Sequence, residues 1–554
     1  MLGLGFRYPD SQPNGLAAQS CRVCRGLGNH PERPMPPAPT LPANANVSRE
    51  FISEETKFMR KDILLLMVLV FTPMLARGVG NCDGSQNCYV RAGATGSGSG
   101  ADWTNACSGF TGNCNVTSSA LRGSTLWVAT GSYGHPVFSA AVSGSTQITV
   151  RAATTANHGT STGWSDSYAG TVTFNATTVI ASNYWLFDGQ TRTTWTSGYN
   201  LKFYNNNSAG SDTLCIATDS CGGAGGTMTN ITLQYVEIQG DNGASSLSDM
   251  GIDAYPVVNQ FTVRYSYLHN FGGNPVLMNY GGGSGDTHLY EYDYFYKNHQ
   301  SYNTDHSEAM SETVANLVVR YSIFQDIISS AFISNASAGT PPIDSWEFYG
   351  NVFFWDSTFC ADTRNFGPTD GILCTACNGP NTNPWAAGSH FYFYNNTVYG
   401  IAMTVASASS SSITDDFTAP TTQYYDNLWC GIGGNTSQPA DAPGGGVAMD
   451  YNAYFGGTTN TSDTSAHKQT SATACTSLLN SPTPTAPGAA NFELLIDTAA
   501  GNSLSSPYNQ SCADGTNCLS LITRGANGTW DRGADQIGVV SPPAAPTTLT
   551  ATYH

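Results

Sequence analysis

Short stretches in which apolar residues occupy alternate positions recur along the chain at intervals of about 30 residues. One copy, Ala315–Ile327, reads ANLVVRYSIFQDI, and Leu317 and Val319 are its alternating apolar residues. Successive side chains of a strand point to opposite faces, so this alternation predicts a strand that buries one face. The repeats lack runs of helix-forming residues at helical spacing, which excludes a solenoid of helical hairpins.

One position, occupied by Arg320 in this copy, serves as a repeat mark. The marks are Tyr204, Gln234, Arg264, Glu291, Arg320, Tyr349, Tyr394 and Tyr425, at intervals of 30, 30, 27, 29, 29, 45 and 31 residues. A single short strand cannot bury its apolar face alone. The period therefore predicts a β-solenoid in which each copy pairs with the next, about 4.8 Å away.

Seven of the eight residues found two positions after the marks are polar. They are Asn206, Val236, Ser266, Asp293, Ser322, Asn351, Asn396 and Asn427. Asn and Asp tolerate turn conformations and bond nearby backbone, so this column predicts a turn with a ladder of stacked side chains. The alternating charges of Arg264, Glu291 and Arg320 predict cross-strand ion pairs. The neighbouring tyrosines, Tyr235, Tyr265, Tyr292 and Tyr321, predict packing rather than a platform for a sugar.

The segment CYVRAGATGSGSGADWTNACSGF (Cys88–Phe110) and the late segment RGANGTWDRGADQIGVV (Arg524–Val540) flank the repeats. With them, the chain resembles secreted parallel β-helix proteins of the pectate-lyase-like type over about residues 85–540. The resemblance implies an all-β fold, a right-handed parallel β-helix that forms a single-stranded solenoid. The interval of 45 residues predicts a loop insertion in one coil, over Asp356–Trp385, that projects beside a binding groove.

The N-terminal region predicts export. Met59-Arg60-Lys61 precedes a nine-residue apolar run, Ile63–Phe71, and then small residues, which is the pattern of a secretory signal peptide. The run is too short to span a membrane. We therefore expect residues 1–58 to be an upstream extension absent from the mature protein, 59–80 the signal peptide, 81–540 the β-helix with capping ends, and 541–554 a Pro-rich linker. A cytoplasmic extension on an anchored protein is the alternative.

Thirteen of the 15 cysteines follow the predicted signal peptide, which favours an oxidising compartment and a secreted protein. Cysteines close in sequence predict short disulfide-bonded loops, and one longer bridge is also expected. The predicted pairs are Cys82/Cys88, Cys107/Cys114, Cys215/Cys221, Cys512/Cys518 and Cys430/Cys475. Cys360, Cys374 and Cys377 remain, and a disulfide with one spare thiol is favoured there over a metal site.

Charge narrows the class of partner. The net charge is −18, and only 11% of residues are charged. This disfavours nucleic acid and the unaided binding of polyanions. Neutral glycans, or anionic glycans bridged by a cation, remain open, and peripheral contact with the cell surface is compatible with the composition.

Titratable residues concentrate in a second predicted strand of each coil, 14 to 15 residues before the mark. One such strand is Thr304–Glu312, TDHSEAMSE. Stacked coils should align the polar residues of about three coils on one face, with Asn279 opposite Glu308. Asp253 falls opposite Ala309, so it shares the face of Glu308 only if a bulge intervenes. The predicted catalytic residues are His306, Glu308, Asp305 and Asp253, and the predicted substrate-binding residues are Asn279, Lys297, His299 and Asn335. The alternative is that these side chains only satisfy turn backbone.

The resemblance and this polar patch together predict a carbohydrate-active enzyme that cleaves an extracellular polysaccharide. Hydrolysis would use two carboxylates, and lyase chemistry would use a base with a cation or metal to stabilise the enolate. If the acids bind a metal, calcium suits their oxygen ligands. The alternatives are a non-catalytic glycan-binding adhesin and a structural component of the cell surface.

Overall fold

The structure is a computed structural model, and it describes the chain in segments between residues 82 and 537. The described residues are 82–205, 212–217, 226–240, 250–278, 285–298, 308–312, 314–327, 332–334, 342–354, 373–374, 385–400, 402–403, 414–415, 421–431, 433–434, 447–457, 459, 463–480, 492–510 and 523–537. The predicted upstream extension, signal peptide and C-terminal linker lie outside them.

Three long parallel sheets, here named A, B and C, form the fold. The strands of sheet A, in their order across the sheet, are Asn87–Val90, Thr125–Val128, Ile148–Ala152, Trp185–Asp188, Thr227–Gln234, Val257–Arg264, Thr287–Glu291, Asn316–Arg320, Ile343–Tyr349, Trp385–Tyr394, Thr421–Tyr425 and Val447–Asp450. The order across the sheet is also the order along the chain, so each coil adds one strand.

Sheets B and C grow in the same direction. The strands of sheet B are Gly131–Ser132, Val172–Asn175, Leu201–Tyr204, Val236–Gln239, Tyr267–His269, Tyr294–Asn298, Ile323–Ile327, Val352–Phe354, Thr397–Tyr399, Leu428–Cys430, Ala453–Phe455 and Gln469–Ser471. The strands of sheet C are Val137–Phe138, Thr178–Ile180, Leu214–Ile216, Ile252–Ala254, Val276–Met278, Met310–Glu312, Phe332–Ser334, Leu373–Cys374 and Thr414–Asp415. A small fourth sheet pairs Ala402–Met403 with Gly433–Gly434.

The regular coils pass from sheet A to sheet B to sheet C and back, which is a parallel β-helix and confirms the predicted fold class. Within the described segments the only helices are four 3₁₀ turns: Gly112–Cys114, Ser119–Leu121, Asp166–Tyr168 and Cys475–Ser477. None of the helices described is long and apolar enough to cross a membrane. Part of the predicted insertion, Leu373–Cys374, is a strand of sheet C.

The register of sheet A confirms seven of the eight repeat marks. The aligned column is Gln234, Arg264, Glu291, Arg320, Tyr349, Tyr394 and Tyr425. Tyr204 is wrong, because it lies in sheet B and pairs with Gln239. Asp188 holds the aligned position instead. The predicted ion pairs are present, since Glu291 lies 2.6 Å from Arg320 and 3.9 Å from Arg264.

The interior is filled by residues that point inward from all three sheets. Leu317 and Val319 are fully buried in this core, as the alternation predicts. Phe295, Phe324 and Phe353 stack on one another with ring centroids 4.7 and 5.0 Å apart. These separations equal the coil spacing, so identical side chains on successive coils pack face to face.

The predicted side-chain ladder closes the turn between sheets A and B. Asn351 Oδ1 accepts the Ser322 N–H at 3.0 Å, and Asn396 Oδ1 accepts the Asn351 N–H at 3.0 Å. Beside it, Tyr235, Tyr265, Tyr292 and Tyr321 have positive φ angles between 52° and 57°. Their rings stack at 4.8, 4.8 and 5.2 Å. The tyrosine column is therefore packing, as predicted.

Two disulfides meet at the N-terminal end of the solenoid. Cys82–Cys88 and Cys107–Cys114 are both formed, as predicted. A Cβ at Gly100 would lie 2.9 Å from Cys82 Sγ and 3.0 Å from the Sγ atoms of Cys107 and Cys114. Glycine is therefore required for the two bridges to pack against this segment.

Residues after 471 return along the outer surface of earlier coils. Phe492 packs on Phe354 with ring centroids 4.8 Å apart, and Leu478 and Leu494 belong to the same buried cluster. Trp530 Nε1 donates to Asn395 Oδ1 at 3.0 Å. The predicted Cys430–Cys475 disulfide joins this segment to sheet B. Cys215 is in a disulfide, and its predicted partner and the Cys512/Cys518 pair lie outside the described residues.

Residues 189–199 also lie on the outside of later coils. Arg192 donates to the carbonyl of Tyr292 at 2.7 Å, although the two residues are 100 positions apart. Trp195 packs on Tyr294, and Tyr199 packs on Tyr267, with ring centroids 6.0 and 6.3 Å apart. This insertion covers part of sheet B.

Candidate functional site

Most of the predicted site residues lie outside the described residues. These are Asp305, His306, Asn279, His299 and Asn335. Lys297 lies in the strand Tyr294–Asn298, and its side chain is not described. Two predicted catalytic side chains, Asp253 and Glu308, can be placed.

The predicted register of sheet C is wrong. Leu277 pairs with both Asp253 and Ser311, so Asp253 aligns with Ser311 two coils later and not with Ala309. The same register places Glu308 beside Asn274 rather than opposite Asn279. The strands of sheet C are only two or three residues long in the structure, so they contain few residues that could fix a register from the sequence pattern.

Asp253 points away from the core. Its neighbours Ile252 and Ala254 are fully buried in the interior, and alternation sends Asp253 to the outer face of sheet C. The side chain is nevertheless only 4% exposed. Burial and the negative charge of Asp253, which accepts a hydrogen bond from Tyr255, raise the pKa of the Tyr255 hydroxyl. Asp253 is thus a covered carboxylate with a phenol donor.

Glu308 lies in a different environment. It is 2% exposed, and Asn274 Nδ2 donates to Glu308 Oε2 at 3.4 Å. Two coils and three residues separate Glu308 from Asp253, which corresponds to about 14 Å between their Cα atoms. Paired carboxylates of glycoside hydrolases lie about 5 to 9.5 Å apart. Asp and Glu side chains extend several Å from their Cα atoms, so this spacing leaves the pairing of Asp253 with Glu308 a prediction.

A cluster that the sequence patterns did not reveal lies on the outer face of sheet B. Lys202 Nζ lies 2.6 Å from Glu237 Oε1, and His269 Nε2 lies 3.1 Å from the same oxygen. Lys202 Nζ also donates to the side-chain oxygen of Gln239. One carboxylate oxygen thus joins a lysine and a histidine from three successive coils, and we name Lys202, Glu237, Gln239 and His269 the sheet B cluster.

The register of sheet B explains this convergence. Lys202 pairs with Glu237, and Gln239 pairs with His269, so the side chains stand in neighbouring rows about 4.8 Å apart. The alternate residues Phe203, Ile238 and Leu268 are fully buried in the core, which leaves the cluster facing outward. The rings of Tyr267 and His269 stack at 3.9 Å.

Burial and pairing set the charges of the cluster. Burial lowers the pKa of His269 more than Glu237 raises it, which favours a neutral imidazole. Burial also raises the pKa of Glu237, but hydrogen bonds from His269 and Lys202 outweigh it and lower the pKa. Glu237 is therefore ionised beside Lys202. His269 donates from Nε2, and its buried Nδ1 has no hydrogen-bond partner among the described residues.

The wrong repeat mark concealed this cluster. Glu237 follows the mark Gln234 by three residues, and Tyr267 follows Arg264 by three. The marks end the strands of sheet A. If Tyr204 is taken as a mark, Lys202, two residues earlier, is therefore assigned to sheet A instead of sheet B. With Asp188 as the mark, residues 189–199 become an insertion, and Lys202 aligns with Glu237. Pairing of the strand LKFY with VEIQ was the signal that could have found the cluster.

A second polar network lies inside the coil. His288 Nδ1 is 2.8 Å from Glu312 Oε2, and Tyr290 donates to Glu312 Oε1 at 2.5 Å. His288 Nε2 is 2.7 Å from the carbonyl of Val258, and all three side chains are buried. Although burial opposes it, the charge of Glu312 raises the pKa of His288. This network satisfies core polar groups and is closed to a ligand.

The sheet B cluster lies near the ends of three strands of sheet B. Tyr204, Gln239 and His269 end their strands in sheet B, and the chain then continues towards sheet C. Asp305 and His306 come between Asn298 and Met310 in the sequence and lie outside the described residues. Comparison with protein-family models and with curated proteins finds no match for this chain.

Proposed function

We propose that the protein is a secreted carbohydrate-active β-helix that binds an extracellular polysaccharide across its B–C side and cleaves it. The observation that carries the proposal is the convergence of Lys202, Glu237 and His269 from three successive coils. Only 11% of the residues are charged, and ionised groups held in a fixed arrangement at a surface are typical of functional sites.

The solenoid suits a polymer. Each coil repeats the same surface about 4.8 Å further along the axis, so consecutive units of a chain meet consecutive coils. Three disulfides between described cysteines support an extracellular location. Lys202 is 21% exposed at its side chain and supplies a positive charge for an acidic or hydroxylated sugar.

The proposed roles follow from the contacts. Lys202 contacts the polysaccharide, Glu237 fixes the position of Lys202, and His269 fixes Glu237. His306 remains the predicted proton-transfer residue, with Glu308, Asp305 and Asp253 as predicted acids. The sheet B cluster places a lysine at the surface beside the site. This favours proton abstraction beside a uronate carboxyl, with Lys202 offsetting the charge of the enolate.

A panel of neutral and uronate-containing polysaccharides tests the proposal. New reducing ends report any cleavage, and ultraviolet absorbance from unsaturated products reports a lyase. We expect Lys202→Met to lower kcat/KM at least tenfold, with a small change in melting temperature because the pair is partly exposed. The matched control is Glu291→Gln, which disrupts an ion pair on sheet A and should keep full activity.

Two outcomes would contradict the proposal. Absence of cleavage on the whole panel, with binding retained, would favour a glycan-binding adhesin. Cleavage that survives both Lys202→Met and Glu237→Gln would place the chemistry away from the sheet B cluster. Glu308→Gln tests the residues predicted from the sequence independently of the sheet B cluster. We expect this variant to abolish activity and to leave the melting temperature nearly unchanged.

A further inference from the structure

The outer face of sheet A changes character in its last coils. In the strands Thr227–Gln234, Val257–Arg264, Thr287–Glu291 and Asn316–Arg320, the central outward column is Thr232, Thr262, Leu289 and Val318. In the next three strands the same column is Glu347, Tyr392 and Gln423. Small and aliphatic side chains are thus replaced by aromatic and hydrogen-bonding groups.

The aromatic rings of this region are held in nearly one orientation. Tyr392 stacks on Tyr394 with centroids 4.9 Å apart and planes 16° apart, and Tyr394 stacks on Tyr425 at 5.6 Å and 16°. His390 extends the row, 4.1 Å from Tyr392. Tyr508 lies nearly perpendicular to Tyr394 at 4.9 Å. We name His390, Tyr392, Tyr394, Tyr425 and Tyr508 the sheet A aromatic patch.

Hydrogen bonds fix this arrangement. Glu347 Oε1 lies 2.9 Å from His390 Nε2, and Glu347 also accepts from the Tyr508 hydroxyl. Tyr394 donates to the side-chain oxygen of Gln423. His390 and Glu347 keep 26% and 18% of their side-chain surface exposed, and Tyr392 and Tyr425 are also partly exposed. The patch therefore presents the rings of Tyr392 and Tyr425 and these polar groups to solvent without rearrangement, with the ring of Tyr394 buried between them in the row.

Charge decides which ligand fits. The strands Ile343–Tyr349, Trp385–Tyr394, Thr421–Tyr425 and Val447–Asp450 contain three acids and no lysine or arginine. An anionic chain would meet negative charge there without compensation. A neutral sugar can place its apolar C–H face on a ring and its hydroxyls on Glu347, Gln423 and His390. Sites for small polar ligands combine aromatic walls with a few fixed polar groups in this way.

We propose that the sheet A aromatic patch is a non-catalytic binding site for an extended neutral polysaccharide. It goes beyond the proposed function, because it lies on another sheet and shares no residue with the sheet B cluster. Successive sugars would run along the solenoid axis, meeting Glu347, Tyr392 and Gln423 in turn, since one coil advances about 4.8 Å. Such a site would anchor the protein on a neutral matrix while the other side acts.

Binding to soluble β-glucan and xylan, measured by affinity electrophoresis and calorimetry, tests this site. We expect Tyr392→Ala and Tyr425→Ala each to weaken binding roughly three- to tenfold. Tyr392→Phe keeps the ring and should retain most of the affinity. The matched control, Leu289→Ala, removes an outward side chain of the same sheet three coils earlier and should leave binding unchanged.

The outcomes separate this proposal from the proposed function. Loss of neutral-glycan binding in Tyr392→Ala, with unchanged melting temperature and unchanged cleavage of a short soluble substrate, supports the patch. Wild-type binding in both alanine variants overturns it, as does binding to a polyuronate alone or to no neutral polysaccharide. Lys202→Met should not alter binding to the patch.

Discussion

The turn between sheets A and B is closed differently in its earlier and later coils. In the later coils, Asn351, Asn396, Asn427 and Asn452 each accept a backbone N–H from the preceding coil and donate to a carbonyl of that coil. In the earlier coils the ladder is Ser266, Asp293 and Ser322. Both serines turn their hydroxyl to their own chain, two residues back.

The surface over this turn differs in the same coils. The earlier turns are covered by the stacked rings of Tyr265, Tyr292 and Tyr321, which are at most 8% exposed. The later positions hold Gly350, Asn395 and Asp426, and the C-terminal segment covers the last two. The earlier turns are thus shielded mainly by side chains of their own coils, with added contacts from Arg192 to the Tyr292 carbonyl and from the Tyr321 hydroxyl to Gln510. The later turns depend on the C-terminal segment.

This difference shows that one backbone turn can be satisfied in two ways. An asparagine in the ladder both accepts a backbone N–H and donates to a backbone carbonyl. The residues outside it in the later coils are small, so another segment must cover them. Serine and aspartate accept the backbone N–H of the preceding coil but do not donate to its carbonyl. The stacked tyrosines exclude water from this part of the turn. Mutations that act on one half and spare the other can measure this contrast.

The largest effect is expected where both halves share the same core. Val319→Asp places an unpaired charge among fully buried side chains and should lower the free energy of unfolding by several kcal/mol. The control is Val318→Asp on the neighbouring outward position, with an expected loss below about 1 kcal/mol. Urea unfolding of both variants checks this, and equal stabilities would refute the register.

A smaller loss is expected from the asparagine ladder. Asn396→Ala removes the acceptor of the Asn351 N–H and a donor to the Phe348 carbonyl, and should cost about 2–4 kcal/mol. Ser322→Ala removes the acceptor of the Asp293 N–H and a local donor to the Arg320 carbonyl, and should cost about 1 kcal/mol. Thermal or urea unfolding that ranks the two variants in the opposite order would mean that the halves are not built as described.

Gly350 marks the junction of the two halves. Its φ is +69°, and a Cβ there would lie 2.6 Å from Tyr321 Cδ1. Gly350→Ala should therefore lose about 2 kcal/mol, from backbone strain and from displacement of the last stacked tyrosine. Gly388 has a φ of +83° but open space around its Cβ position, so Gly388→Ala reports strain alone, about 1 kcal/mol. Near-ultraviolet circular dichroism should show a tyrosine change only for Gly350→Ala.

The smallest effect is a gain. Burial raises the pKa of Asp293 well above its usual value, and its Oδ2 has no hydrogen-bond partner among the described residues. In the asparagine ladder this position donates to the carbonyl before the preceding mark, which is Val263 here. Asp293→Asn restores that donor and should add about 1 kcal/mol at pH 7.

The pH dependence of the stability difference between Asp293→Asn and wild type distinguishes this explanation from simple repacking. Because the folded pKa of Asp293 is raised, the unfolded carboxyl ionises first, and its contribution to stability is fully present below about pH 4 and falls as pH rises. The difference between Asp293→Asn and wild type should therefore be small at pH 4 and grow towards pH 7. A difference that is constant across that range would contradict a raised pKa.

The fold could be predicted because the long strands of sheet A repeat one pattern. The marks from Gln234 to Tyr425 align, since an alternation of five or more residues fixes which face is buried. Tyr204 failed because its strand, LKFY, has the same alternation in sheet B. Alternation identifies a strand but not the sheet to which the strand belongs. The insertion of residues 189–199 lengthened this coil, so the interval between marks did not identify the sheet either.

The register around the predicted site could not be predicted from the sequence. The predicted alignment of Asn279 with Glu308 failed because three-residue strands slide without changing which residues are apolar. Lys202 and His269 are 67 positions apart, with Glu237 between them, and their meeting depends on the register of three coils. The ladder, by contrast, was predictable, since each Asn bonds the same turn of the preceding coil, one repeat earlier in the sequence.

The returning C-terminal segment determines when the solenoid can be finished during synthesis. Trp530 bonds Asn395, 135 residues earlier. At typical translation rates of about 5–20 residues per second, the later turns wait on the order of ten seconds for their cover. During that interval Phe354 and Leu428 remain open to solvent, and Cys430 is a free thiol until Cys475 emerges. The rate at which residues 430–534 are translated therefore sets how long the nascent chain exposes apolar side chains that favour aggregation.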